Sequence, residues 1–271
     1  GAIPLNPLKR IFDNQVSLTR EYLNDSIKYK SSWIKNNDAL MVLLKKYSID
    51  FNTIKGGCKA YIDFEGKKIS HHYIKMLHIL NNIDTHISIN SKQSFLEIGG
   101  GFGVNIHLLL ETHPSIKKVI YIDIAPNLYL ATQYLKTFYG NAVHDYLETR
   151  NFNEIKFENN KELEIYCLMP QQIERVTSSI DLVHSSHALV EMPASAVKNY
   201  SEQIKRIIDE DKGTISLVSY DGFDTKTTLH PETVLSYFDN FKFNREEHPA
   251  LWPNNQDYYY ISHKDSSFKK L

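Results

Sequence analysis

Leu96-Glu97-Ile98-Gly99-Gly100-Gly101-Phe102-Gly103 is the stretch on which the fold turns. Ser94-Phe95-Leu96-Glu97-Ile98 reads as a short strand, and it runs straight into four glycines within five positions. Residues 104–112 then carry a helical pattern. Glycines at such a junction let the backbone bend sharply and let a ligand approach with no Cβ in the way. The helix start beyond them offers unpaired amides. The spacing is not G-x-G-x-x-G, because Val104 stands where the third glycine belongs. That departure argues against a dinucleotide pyrophosphate, and so against a nicotinamide or flavin enzyme. A turn that binds nothing is the competing reading, and the chain entropy lost in ordering so many glycines weighs against it.

Downstream, strands and helices alternate. Val119-Ile120-Tyr121-Ile122-Asp123-Ile124 reads as a second strand, with a helix over 127–138. Further strands are expected at 164–169, stopped by Pro170, at 180–184 and at 213–219, with helices at 194–209 and 231–239. The last two strands, 241–245 and 257–263, are joined by a short segment containing Pro249 and Pro253. It leaves no room for a crossover helix, so they form an antiparallel pair at the sheet edge. The predicted fold class is α/β: a doubly wound, mostly parallel, seven-stranded sheet.

Upstream the texture differs. Residues 1–92 read as a mostly helical region, a lid or dimer contact, and 93–271 as the main domain. Tyr61-Ile62-Asp63-Phe64-Glu65-Gly66 is an extended piece ending in a turn, and a helical stripe follows from Tyr73. Lys55-Gly56-Gly57 and His71-His72-Tyr73 are more readily surface elements than substrate contacts.

Formal net charge is −1, so no global field draws the chain to nucleic acid or to an anionic membrane. No apolar run reaches the roughly 18 residues of a membrane span. Cys58 and Cys167 fit neither a disulfide scaffold nor a zinc site. The expected setting is reducing cytoplasm.

Asp123 lies at the end of the second strand, about twenty residues past the glycines, where a carboxylate can accept both hydroxyls of a ribose. The alternative is a strand-end carboxylate that caps the next helix. The fourth strand ends in His184-Ser185-Ser186-His187, with Glu191 four residues on. Ligands of open α/β sheets sit beyond the carboxyl ends of the strands. His187 is therefore the first candidate for a general base, and Glu191 for a group that orients it or binds substrate. A hydrogen-bonded loop histidine is the alternative for His187, and His184 reads as a core histidine. Tyr220, Asp221 and Asp224 follow the fifth strand and face the same cleft. Asp221 with His230 or His248 is the nearest thing to a metal set, and no ligand spacing supports it. No metal is expected.

The E-x-G-x-G-x-G turn followed by a strand ending in an acid resembles class I S-adenosylmethionine methyltransferases, over residues 93–263. Tyr121-Ile122-Asp123-Ile124-Ala125-Pro126-Asn127-Leu128-Tyr129-Leu130-Ala131 and, more loosely, His187-Ala188-Leu189-Val190-Glu191-Met192 resemble the bacterial sugar O-methyltransferases associated with cell-surface polysaccharide. The resemblance implies a Rossmann-like methyltransferase fold and S-adenosylmethionine as cofactor. It places the turn residues Glu97, Gly99, Gly100, Gly101 and Gly103 against the methionine part and Asp123 on the ribose. It adds Ile124 and Ser185 to the cofactor-binding set and puts Met169 and Gln171 beside the adenine. The implied reaction is methyl transfer to a hydroxyl of a sugar or glycan precursor. A small metabolite, a nitrogen acceptor, or a non-catalytic binding subunit with this fold remain alternatives.

Overall fold

The computed structural model describes residues 38–47, 61–64, 67–220, 229–249 and 256–263. Lys55-Gly56-Gly57, Cys58, Asp221, Asp224 and Pro253 lie outside the described residues. The chain divides into two compact units, Gly1–Leu77 and His78–Leu271.

In the first unit, helix α1 spans Asp38–Lys46. Strands β1 (Tyr61–Phe64) and β2 (Lys67–Ser70) pair antiparallel; β1 falls in the expected extended piece, and β2 has no counterpart among the elements expected from the sequence. Helix α2 (His71–His86) begins in this unit and ends in the next.

The second unit is built on a mixed sheet. Its strands are β3 (Ser94–Ile98), β4 (Lys118–Ile122), β5 (Val143–His144), β6 (Glu164–Leu168), β7 (Leu182–Ser186), β8 (Thr214–Tyr220), β9 (Lys242–Pro249) and β10 (Gln256–His263). Their order across the sheet is β5-β6-β4-β3-β7-β8-β10-β9. The first six are parallel to one another, β10 is antiparallel to β8, and β9 is antiparallel to β10. Among the described residues the sheet therefore has eight strands, not seven. The extra one, β5, is two residues long and too short to show an alternating pattern in sequence.

Every residue of β3, β4 and β6 is buried, as expected of parallel strands covered on both faces. On one face, Leu96, Ile98, Ile120, Ile122, Val183 and Ile215 pack with Val197, Tyr200, Ile204 and Ile207 of helix α6 (Ala194–Ile207). Those helix residues recur at the three-to-four spacing that buries one stripe. The other face carries helices α3 (Val104–Thr112) and α4 (Ala125–Tyr139), which bury Leu108, Leu109, Leu128, Ala131 and Leu135. Two short helices, α5 (Tyr146–Thr149) and α7 (Pro231–Ser236), complete the described α-helices. No helix among the described residues is long and apolar enough to cross a membrane.

Strands β3 and β4 lie to one side of the point where the chain order reverses, and β7 and β8 to the other. That reversal opens the crevice at the carboxyl ends in which doubly wound sheets bind ligands.

Candidate functional site

A row of hydrogen bonds ties the strand ends together. Gly99 N–H donates to the Ile122 carbonyl at 2.8 Å, and Asp123 N–H to that of Leu168 at 3.3 Å. Ser185 Oγ donates to the Ile98 carbonyl at 3.0 Å. His187 N–H donates to the Val218 carbonyl at 2.8 Å. The predicted residues of four loops are thereby brought to one rim.

Gly99, Gly101 and Gly103 all have positive φ, at 75°, 64° and 87°. L residues rarely adopt this backbone conformation, which is why glycines stand there. Their surroundings differ. A Cβ on Gly99 would overlap the Ala188 side chain, and one on Gly103 would press on Ala131 and Leu135. A Cβ on Gly101 would meet nothing within 4 Å. The turn is packed from behind at its ends and open at its middle.

Glu97 lies under this turn. It is 2% exposed, and its carboxylate would be struck by a Cβ on Gly100. Asn105 Nδ2 donates to Glu97 Oε1 at 2.7 Å, while Oε2 is buried with no hydrogen-bond partner. Burial pushes the Glu97 carboxyl up to about 7, against the Asn105 hydrogen bond, and the charge of Asp123 adds to the rise.

Asp123 falls one residue past β4 and is 7% exposed. Its Oδ2 accepts the Gly101 N–H at 3.0 Å and lies 2.8 Å from the Tyr121 hydroxyl. The same hydroxyl is within reach of the Gly101 carbonyl, and its single proton serves one acceptor at a time. Oδ1 accepts Ile124 N–H at 2.7 Å and Asn127 Nδ2 at 3.4 Å. The carboxylate thus steadies both the glycine turn and the start of α4, so the helix-capping alternative describes part of what it does. Ile124, the N-cap residue of α4, has 60% of its surface exposed on the rim.

Met169 is half-buried and leads into a 3-10 turn, Pro170–Arg175. Gln171 is exposed. Its neighbour Gln172 is buried and holds the loop, accepting Met169 N–H at 2.9 Å and donating to Thr149 at 3.1 and 3.2 Å.

His187 has φ 64°, and among the described residues it is the one non-glycine with positive φ. This backbone turns Ala188 against Gly99. The ring is half-buried, has Ser186 Oγ 2.9 Å from Nδ1, and stacks on Tyr220 with centroids 5.3 Å apart and planes 18° from parallel. Glu191 ends a 3-10 turn, Leu189–Glu191, and accepts the Tyr220 hydroxyl. His184 is fully buried and in contact with Ser216 Oγ at 3.2 Å through Nδ1, with Nε2 unpartnered. Burial, assisted by the nearby His187, pushes it down to about 4. It is a neutral core histidine, satisfied on one side only.

Ser185 is 2% exposed, and its hydroxyl serves the strand-end row. His230 caps α7, accepting the Glu232 N–H at 3.4 Å. Among the described residues no three His, Cys, Asp or Glu side chains group as a metal site would require. Sequence reading gave no role to Tyr121, Asn105 or Ala188. Tyr121 is two residues before Asp123, and the two-residue period of a strand was the one signal pointing to it.

No known protein-family profile matches the sequence. No curated protein matches it in sequence. Solved structures match its fold. The PH0226 protein of Pyrococcus horikoshii OT3 aligns over 72% of this chain and 92% of its own, at 12% identity and a TM-score of 0.51. Mitomycin 7-O-methyltransferase aligns over 71% of this chain and 54% of its own, at 13% identity and a TM-score of 0.46. Human N-acetylserotonin methyltransferase, solved in complex with SAM, aligns over 70% and 56%, at 12% identity and a TM-score of 0.43. The chain spans about half the length of these last two proteins. At 12% identity and a TM-score above 0.5, the likeness to the PH0226 protein shows the fold alone, a doubly wound α/β domain.

Proposed function

We propose that this chain is an S-adenosylmethionine-dependent methyltransferase that methylates a hydroxyl of a sugar or cell-surface glycan precursor, with His187 as general base. The observation that carries this reading is the link between Gly101 and Asp123 beside the switch point of the sheet, with His187 just past the end of β7 across it. The sequence resemblance supplies the cofactor and acceptor class.

The residues fit such a cofactor. The open middle of the turn at Gly101 leaves room for a ligand without displacing packed atoms. Asp123 offers a carboxylate whose contacts to Gly101 N–H and Asn127 are exchangeable for ribose hydroxyls. Ile124 and Met169, just past the ends of β4 and β6, offer apolar surface for the adenine. When bound, the cofactor supplies a methyl group already activated by a sulfonium.

The chain's own task is to align the acceptor and take its proton. A sugar hydroxyl is a poor nucleophile near neutral pH. In the tautomer whose Nδ1–H donates to Ser186 Oγ, Nε2 of His187 is the nitrogen that would receive that proton. Tyr220 is the less suited group, because its hydroxyl already donates to Glu191, and burial, and then that bond, holds its phenol above its ordinary range.

Calorimetric titration with S-adenosylmethionine, S-adenosylhomocysteine and NAD in parallel tests the cofactor. Binding of the first two without NAD is expected, and binding of NAD alone overturns the reading. Release of S-adenosylhomocysteine in a screen of nucleotide sugars, glycan fragments, small metabolites and amines then tests the acceptor. Turnover only with a non-carbohydrate removes the sugar.

A further inference from the structure

Glu191 and His187 lie four residues apart, yet the structure joins both through a third residue on the neighbouring strand. Tyr220 ends β8, and Val218, two residues earlier on that strand, accepts the His187 N–H. One short piece of β8 therefore grips the histidine twice, by its backbone and by its ring. The His187 backbone stands in a left-handed conformation that L residues rarely adopt and that persists only where its surroundings over-determine it. The Tyr220 hydroxyl, in turn, donates to Glu191, which terminates the turn beginning just after His187. The connection closes on itself: His187, the turn, Glu191, Tyr220, and back to His187.

We propose that Tyr220 is a positioning residue of the transfer site, holding His187 by stacking and coupling it to the carboxylate of Glu191. This inference rests on the methyltransferase reading. Its chemical content is electrostatic. A base that takes a proton becomes an imidazolium, and an imidazolium lying face-on over an aromatic ring is attracted by the ring's negative face. A phenol that donates to a carboxylate is a more electron-rich ring than one that donates to water. Glu191 thus stabilises the protonated histidine through Tyr220. It need not touch the acceptor to do so.

Tyr220→Phe, Tyr220→Leu, Glu191→Gln and the Tyr220→Phe/Glu191→Gln double variant of the full chain test this, with kinetics and NMR of the histidine ring protons. Tyr220→Phe keeps the ring and cuts the link. It and Glu191→Gln are each expected to lower kcat about tenfold, with KM for the acceptor and affinity for S-adenosylmethionine within about twofold of wild type. Glu191→Gln keeps an acceptor oxygen but removes the charge, so the double variant should lose no more than Tyr220→Phe alone, which already cuts the path by which that charge acts. Tyr220→Leu should lose more, and should also lose the upfield ring-current shift of the His187 protons that Tyr220→Phe retains. Full kcat in Tyr220→Phe, or losses that multiply in the double variant, would overturn the coupling. Unmoved His187 signals in Tyr220→Leu would overturn the stacking. A wild-type chain that transfers no methyl group to any acceptor sinks the functional reading instead, and the NMR comparison still decides whether Tyr220 positions His187.

Discussion

The carboxylate of Asp123 accepts the backbone N–H of Gly101 at 3.0 Å, so the end of one strand holds the turn that follows its neighbour. A ligand that engages Asp123 therefore acts on the turn as well. Asp123→Ala is expected to weaken S-adenosylmethionine about 10- to 100-fold, the effect of losing one charged hydrogen-bonding group. Asp123→Asn, which keeps an acceptor oxygen, should lose less. Calorimetry on the two variants checks this, and equal affinity for wild type and Asp123→Ala would remove the ribose assignment.

The glycines separate two kinds of damage. Gly101→Ala adds a methyl group to open space and meets only backbone strain, about 1–2 kcal/mol. Gly99→Ala adds the same strain and also drives a methyl group into Ala188, which the His187 loop presses against it. Thermal denaturation should place the melting temperature of Gly99→Ala several degrees below that of Gly101→Ala. Similar values would mean that the loop moves aside freely.

The buried Glu97 makes a prediction about pH. Its folded carboxyl is raised from 4.5 to about 7. The unfolded chain therefore gives up the proton first, and the native state binds more protons between those limits. The contribution of Glu97 to stability is fully present below pH 4.5 and is lost as pH rises through 7, to the extent of about 3 kcal/mol. His107 and His184, pushed down to about 4 by burial, work in the opposite sense as the pH falls below 6.5. The readout is accordingly the difference between wild type and Glu97→Gln in urea titrations from pH 4.5 to 8. That difference should change steadily in favour of the variant, and a flat difference would contradict it.

His187 separates backbone from chemistry. Both His187→Ala and His187→Gly remove the proposed base, and both should lower kcat by at least about 100-fold. Only glycine relieves the positive φ. His187→Gly should therefore unfold at the same temperature as His187→Ala or above it, despite its more flexible unfolded chain. A His187→Ala variant with full activity would end the assignment.

Much of this was legible in the chain. The strand, glycine turn and helix at 94–112 occur where the pattern put them, and the antiparallel final pair follows from its short proline-containing link. What the pattern could not give was anything decided by register or by a single residue's offset. Strand β4 stops at Ile122, which leaves Asp123 outside the ladder and able to turn back to Gly101. Gln172 faces inward and Gln171 outward, an offset set by the 3-10 turn Pro170–Arg175. The Tyr220–Glu191 bond joins residues 29 apart that only the pairing of β7 with β8 brings together.

The rims of the sheet bear on how copies of this chain can associate. One rim is β5, which offers only two residues of unpaired backbone. The other is β9, where Lys242, Asn244 and Arg245 stand exposed and Pro249 lacks an amide proton. Short, charged or proline-bearing borders resist the addition of a foreign strand. Growth by continuing the ladder from molecule to molecule, the route to fibrils and to edge-joined dimers, is discouraged at both ends. A symmetric pairing of two copies would accordingly be sought away from these two rims.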